Sequence, residues 1–206
     1  MSHDSPPTEG ERLGNSVKIN VVGTGPLAAQ FGAALGQRGH TIVEAAPFDA
    51  MVFAPWDKAI MVPRPLSELT DDEFDVAWQQ TMDDAIARCI EARAAFDGKG
   101  GSIVLTLPTT ALAGGNHYSH WAAAAEGIHI FAKSLARQWG PEGIAVNALA
   151  MSPELVLANA AIAGPVSIAT PAVPDADPSA VIEFLCSPDA RNLAGQLLTV
   201  DGGLWM

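Results

Sequence analysis

The stretch KINVVGTGPLAAQFGAALGQRGHTIVE, residues 18–44, does most to limit the fold. A short apolar run, Lys18 to Val22, ends in Gly23-Thr-Gly25-Pro-Leu-Ala28. A small-residue segment continues to Gly39, and HTIVE, residues 40–44, is apolar again. Strand, glycine-rich turn, helix and strand form a βαβ unit, which commits a chain to a parallel sheet with helices packed on it. In that setting Gly23 and Gly25 permit a tight turn and let backbone approach a pyrophosphate, which the helix N-terminus stabilises. Glu44 lies twenty-one residues beyond Gly23, where a carboxylate can accept from a ribose 2′-OH. Gly23, Gly25, Ala28 and Glu44 are therefore the candidate contacts for a dinucleotide, with NAD as the cofactor. The competing reading keeps the glycines for helix–sheet packing alone.

FDAMVFA, residues 48–54, is a third strand candidate, yet only a few residues separate it from Val43. A parallel crossover normally takes a dozen residues or more. Either the connection is extended, or one of the two runs is not a parallel strand. Further on, Phe74, Trp78, Met82, Ile86 and Ile90 recur every four residues, the pattern of a long amphipathic helix over 72–96. Thr70 or Asp71 is its N-cap candidate. GSIVLTL, residues 101–107, reads as a central strand. A helix over 119–139 carries Trp121, Ile128, Phe131, Leu135 and Trp139 on one face. GIAVNALA is another strand, 152–177 reads as loop plus short helix, SAVIEFLCS as a helix and GQLLTVDGG as a closing strand and turn.

Charge removes some function classes. Lys and Arg number 11 against 23 Asp and Glu, a formal net charge of −12. Such a surface repels phosphate backbones and anionic bilayers, so no nucleic acid and no membrane is an expected partner. No apolar run is long enough to span a bilayer. Residues 1–16 are polar and broken by Pro and Gly, which reads as a disordered tail without a signal's apolar stretch. Cys89 and Cys186 sit in apolar contexts as buried free thiols, and a cytoplasmic location is the default. The remaining length, 17–206, suits one domain.

GGSIVLTL, FAKSLARQWGPEGIAVNALA and FLCSPDARNLAGQLLTVDGG together resemble the short-chain dehydrogenase/reductase family, over most of the chain from Lys18 to Gly203. The resemblance implies an α/β Rossmann-like three-layer fold with a mostly parallel sheet, here shortened after the second strand. It also implies oligomers in which the two long helices pack against a partner as a four-helix bundle. Active members of that family use Asn, Ser, Tyr and Lys. Tyr and Lys stand four apart on one helix face, where the ammonium favours the phenolate that exchanges a proton with substrate. Matched backwards from KSLARQWG, the Lys position holds Ala125, the Tyr position Trp121 and the Ser position Pro108. The Asn falls near Gln80 or Thr81. Shifting the register to Tyr118 puts Ala122 four residues on, and the next Lys is Lys133. The strand that ends Asn-Asn-Ala-Gly in the family ends FAPW here, which sets Pro55 and Trp56 in space usually left for the cofactor.

These replacements imply a degenerate family member without its acid–base pair. Tyr118 and His120 are the remaining proton-transfer candidates, against a reading as polar groups at the cleft rim. His117 and His120 lack a third ligand, so no metal is expected. The expected role is a non-catalytic subunit, without cofactor, that joins a homo-oligomer or an intact short-chain dehydrogenase through its long helices. The alternative is an atypical NAD(P)-binding oxidoreductase or nucleotide sensor built on GTGPLA.

Overall fold

The computed structural model describes residues 16–163 and 177–203. The expected N-terminal tail thus lies almost wholly outside the described residues, as does much of the segment between 152 and 177. Six strands, β1 (Lys18–Val22), β2 (Thr41–Ile42), β3 (Ala50–Phe53), β4 (Gly101–Pro108), β5 (Ile144–Met151) and β6 (Leu197–Val200), form one parallel sheet in the order β2-β1-β3-β4-β5-β6. Helices flank it: α1 (Pro26–Gln37), α2 (Asp71–Asp75), α3 (Thr81–Ala95), α4 (Thr110–Ala113), α5 (Ser119–Trp139), α6 (Pro153–Val156), α7 (Ala160–Ala163) and α8 (Ser179–Cys186). Every residue of β4 and β5 is buried, as expected of parallel strands covered on both faces. The result is the three-layer Rossmann-like architecture.

The short passage after β2 has a geometric explanation. Ile19 of β1 pairs with Ile42 on one side and with Ala50 on the other. Strand β2 therefore ends at the level where β3 begins. The chain has no strand length to retrace and needs no return helix; it only crosses the breadth of β1, about 10 Å at ordinary strand spacing. Both runs are parallel strands, and the connection is the extended one. Val43 accepts from Asn20 Nδ2 at 2.8 Å, Asp49 N donates to Lys18 O at 2.8 Å, and Phe48 packs edge-on against Phe96. The six-strand order of the doubly wound fold, 3-2-1-4-5-6, has an outer strand beyond the second. Among the described residues none lies beyond β2. The order still reverses between β1 and β3, so the crevice above that junction is the expected ligand position.

One side of the sheet carries α3 and α5, and the other α1 and α8. Thr70 caps α2: its hydroxyl accepts from Glu73 N, and the Glu73 carboxylate reaches back to Thr70 N. That reciprocal pair satisfies two orphan donors. A π-helical turn, Val76–Gln80, joins α2 to α3. The period-four series on this helix corrects the simplest reading of its amphipathicity. Ala77, Thr81, Ala85, Cys89 and Ala92 are the buried residues, while Phe74, Ile86 and Ile90 are 42%, 41% and 58% exposed. Small side chains let α3 lie close to the sheet; Phe74, Ile86 and Ile90 face outward, while Trp78 and Met82 are half-buried beside Gly127 of α5.

Candidate functional site

Strand β1 ends at the turn Gly23-Thr24-Gly25, which opens α1. Gly23 is fixed by packing: a Cβ there would lie 2.1 Å from the Ala54 carbonyl oxygen and 3.0 Å from Ala28 Cβ. The turn is thereby clamped between the end of β3 and the buried Ala28 of α1, which supports the packing reading of Gly23 and Ala28. Gly25 is the N-cap of α1, with no side chain capping the helix. A Cβ on Gly25 would meet Asp57 Cβ at 2.9 Å and Asp57 Oδ2 at 3.2 Å.

The loop after β3 explains that contact. Trp56 is buried, and its Nε1 donates to Thr106 O at 2.6 Å, while Thr106 Oγ1 donates to Phe53 O at 2.8 Å. The indole thus drops beneath the strand ends and knits β3 to β4. This corrects the expectation that Trp56 fills cofactor space; of that pair only Pro55 borders the cleft. With Trp56 anchored, Asp57 turns toward Gly25. Its Oδ1 accepts from Ala59 N at 2.9 Å and its carbonyl from Ile60 N and Met61 N, so the carboxylate is held by its own turn.

A cleft of about 520 Å³ opens above the β1–β3 junction. Gly23, Thr24 and Glu44 border it together with Gln80, Asp84, Arg88 and Trp121. Arg88 donates to Asp84 at 3.1 Å and to Glu91 at 2.9 Å. Beside it lies a pocket of about 190 Å³, bordered by Arg64, Glu73, His120 and Trp121. Arg64 Nε donates to Glu73 Oε1 at 2.6 Å, which, with the Thr70 hydrogen bonds, lowers the Glu73 carboxyl to about 2. His120 and Trp121 are buried, and neither His120 Nδ1 nor Trp121 Nε1 has a hydrogen-bond partner. Burial lowers the His120 imidazole below its ordinary pKa, so the ring is favoured neutral.

The other candidates are placed differently. Tyr118 is fully buried just before α5; its hydroxyl accepts from Asn159 N at 3.0 Å and donates to Asn159 O at 3.3 Å. Burial raises its phenol above the ordinary value, away from ready proton exchange. Pro108 and Ala125 are buried and border neither cleft, whereas Trp121 borders both. His117 is exposed, and among the described residues no group of three or more His, Cys, Asp or Glu could hold a metal. The sequence reading missed Asp57, Arg64 and the Asp84–Arg88 pair. Only the loop–helix proximity that packing creates brings them to the site.

A family model described as enoyl-(acyl carrier protein) reductase matches residues 46–205. The chain belongs to the short-chain dehydrogenase/reductase family. Its relatives include a chloroplastic tropinone reductase homolog of Arabidopsis thaliana, 27% identical over 153 residues, covering 69% of this chain and 48% of that protein. Another is (-)-trans-carveol dehydrogenase of Rhodococcus erythropolis, 29% identical over 163 residues, covering 66% of this chain and 59% of that protein. The chain spans about half the length of the curated relatives it matches. A short-chain dehydrogenase of Leptospira borgpetersenii, solved with bound NAD+, shares the fold at a TM-score of 0.73 and 16% identity, covering 100% of this chain and 99% of that one. No helix among the described residues is long and apolar enough to cross a membrane.

The family implies a dinucleotide, and the residues present fit it poorly. The cleft reaches Gly23, Thr24 and Glu44 but stops short of Gly25, where the Asp57 carboxylate stands against the head of α1. A pyrophosphate seated there would meet both its volume and its charge.

Proposed function

We propose that this chain is a non-catalytic member of the short-chain dehydrogenase/reductase family that assembles with an intact dehydrogenase subunit in the cytoplasm. The observation that carries the reading is the pair at the proton-transfer position of α5. Trp121 borders the cleft where the family's Tyr is expected, and Ala125 is buried where its Lys is expected. An indole N–H is far too weak an acid, and the ring too weak a base, for acid–base catalysis at neutral pH, and a methyl group supplies no cation. A positioned acid–base group contributes about 10²–10⁴-fold to rate, and here the whole set is replaced.

The outward face of the long helices supports assembly. Phe74, Ile86 and Ile90 on one helix and Ile130 on α5 are exposed. A Cβ on Gly127 of α5 would approach the Trp78 ring to 3.2 Å, so the two helices sit close enough to present one surface. Apolar area of this kind on a charged protein marks an interface.

The test is isolation of the tagged chain from its native cells, with an Ile90→Asp variant beside it. The expected result is a stoichiometric family member carrying Tyr and Lys four apart, lost in the variant. Carbonyl-dependent NADH oxidation by the purified chain alone would sink the proposal. A second reading, a nucleotide sensor, is favoured by Gly23, Thr24 and Glu44 bordering one cleft; saturable NADH binding without turnover would support it.

A further inference from the structure

We infer that Asp57 is the residue that closes this cleft to dinucleotides: its carboxylate holds the place at the head of α1 where a diphosphate would bind. The second glycine of a dinucleotide turn lacks a Cβ so that a pyrophosphate can come close to the backbone. At Gly25 that space is filled from within the chain, with Asp57 Cβ, Cγ and Oδ2 all 2.9–3.2 Å from where a Cβ would stand. The carboxylate brings a negative charge to the positive end of the helix, the one feature there that favours a phosphate.

The group is not free to swing aside. Asp57 Oδ1 accepts from Ala59 N, and the Asp57 carbonyl accepts from two following amides. The buried Trp56, tied to Thr106, fixes the direction in which the loop leaves β3. Pro26 at the first helical position removes one more N–H that a phosphate would use. What remains of the cleft carries Glu44, Asp84 and an Arg88 already held by two carboxylates, so among the described residues that line it no unpaired cation compensates. Like charges brought together in such a setting cost several-fold to many-fold in affinity.

The inference extends the non-catalytic reading from the proton-transfer residues to the cofactor, and the two fail separately. Wild type, Asp57→Gly and Asp57→Ser are compared by calorimetric titration with NADH, after circular dichroism and thermal unfolding establish that each variant is folded. Serine removes the charge and most of the volume while keeping an acceptor for Ala59 N. The expected result is no saturation of wild type and a gain of at least about tenfold in affinity in the variants. Where the glycine variant does not fold, the serine variant decides. Saturable NADH binding by wild type with an affinity equal to that of the variants overturns the inference, and so does a folded variant that gains nothing. NADH binding by wild type without turnover leaves the non-catalytic reading standing, whereas turnover removes that reading whatever Asp57 does.

Discussion

Replacing Gly23 by Ala separates packing from ligand binding as the reason for that glycine. A Cβ at this position would lie 2.1 Å from the Ala54 carbonyl oxygen, 2.8 Å from its carbon and 3.0 Å from Ala28 Cβ. Ordinary C···O contacts are about 3.3–3.6 Å, so more than an ångström must be found. None of the three atoms can rotate away, because two are backbone and the third is the first atom of a side chain. Overpacking a core costs about 1–3 kcal/mol. Here the strain falls beside the hydrogen bond from Ala54 N to Val22 O, 2.8 Å long, and weakening it adds about 1 kcal/mol. The Gly23 φ of +157° disfavours a side chain by about 1–2 kcal/mol more. The smaller freedom of Ala in the unfolded chain offsets about 0.4–1 kcal/mol. The net loss is about 2–5.5 kcal/mol, a large part of the stability of an ordinary domain. Urea unfolding followed by fluorescence reads it directly, since Trp56, Trp121 and Trp139 are buried. Gly32→Ala is the control: in α1, with its nearest neighbour Ile42 Cγ2 at 3.8 Å, it is expected to stabilise by about 0.5–1 kcal/mol. A Gly23→Ala protein within about 0.5 kcal/mol of wild type would refute the packing account. The glycine would then have to be explained by a ligand.

Trp56→Phe leaves Thr106 O without its donor and is expected to cost about 1–3 kcal/mol in the same assay, against about 3–5 kcal/mol for Trp56→Ala. Tyr118→Phe takes the acceptor from Asn159 N, while Asn159 O keeps the amide of Ile162; a loss of about 0.5–1.5 kcal/mol with ligand binding unchanged is expected, and altered binding would return Tyr118 to the site. The Glu73 carboxyl titrates at about 2 in the folded chain against a reference of 4.5, so its contribution is present above 4.5 and lost as pH falls toward about 2. The urea midpoint should therefore decline through that window, less steeply in Glu73→Gln. Burial pushes the Cys89 and Cys186 thiols up to about 12, so iodoacetamide at mildly alkaline pH should label the native protein slowly and the urea-unfolded protein readily.

Much of the fold is legible along the chain. Lys18–Val22, Gly101–Pro108 and Ile144–Met151 are apolar runs, and Ser119–Trp139 carries its helical period in its own residues. The helix over Phe74 to Ile90 is legible as a helix but not in its orientation. Periodicity marks two unlike faces, and which one meets the sheet depends on how close the helix must lie. In the candidate site, Gly23, Glu44 and Trp121 could be named from spacing or resemblance, and they do meet at one cleft. Tyr118 is carried away from it by a backbone partner, Asn159, that no local pattern announces.

The sequence by itself determined an alternating strand–helix chain, a glycine turn after the first strand, and an α5 without a Tyr and Lys four apart, because these are properties of neighbouring residues. Only the tertiary structure decided how seven residues, 43–49, connect two parallel strands, since that depends on Ile19 pairing level with both Ile42 and Ala50. It alone also set Asp57 against Gly25. That contact joins two loops distant in the chain, and it exists because Trp56 is drawn into the core beneath them.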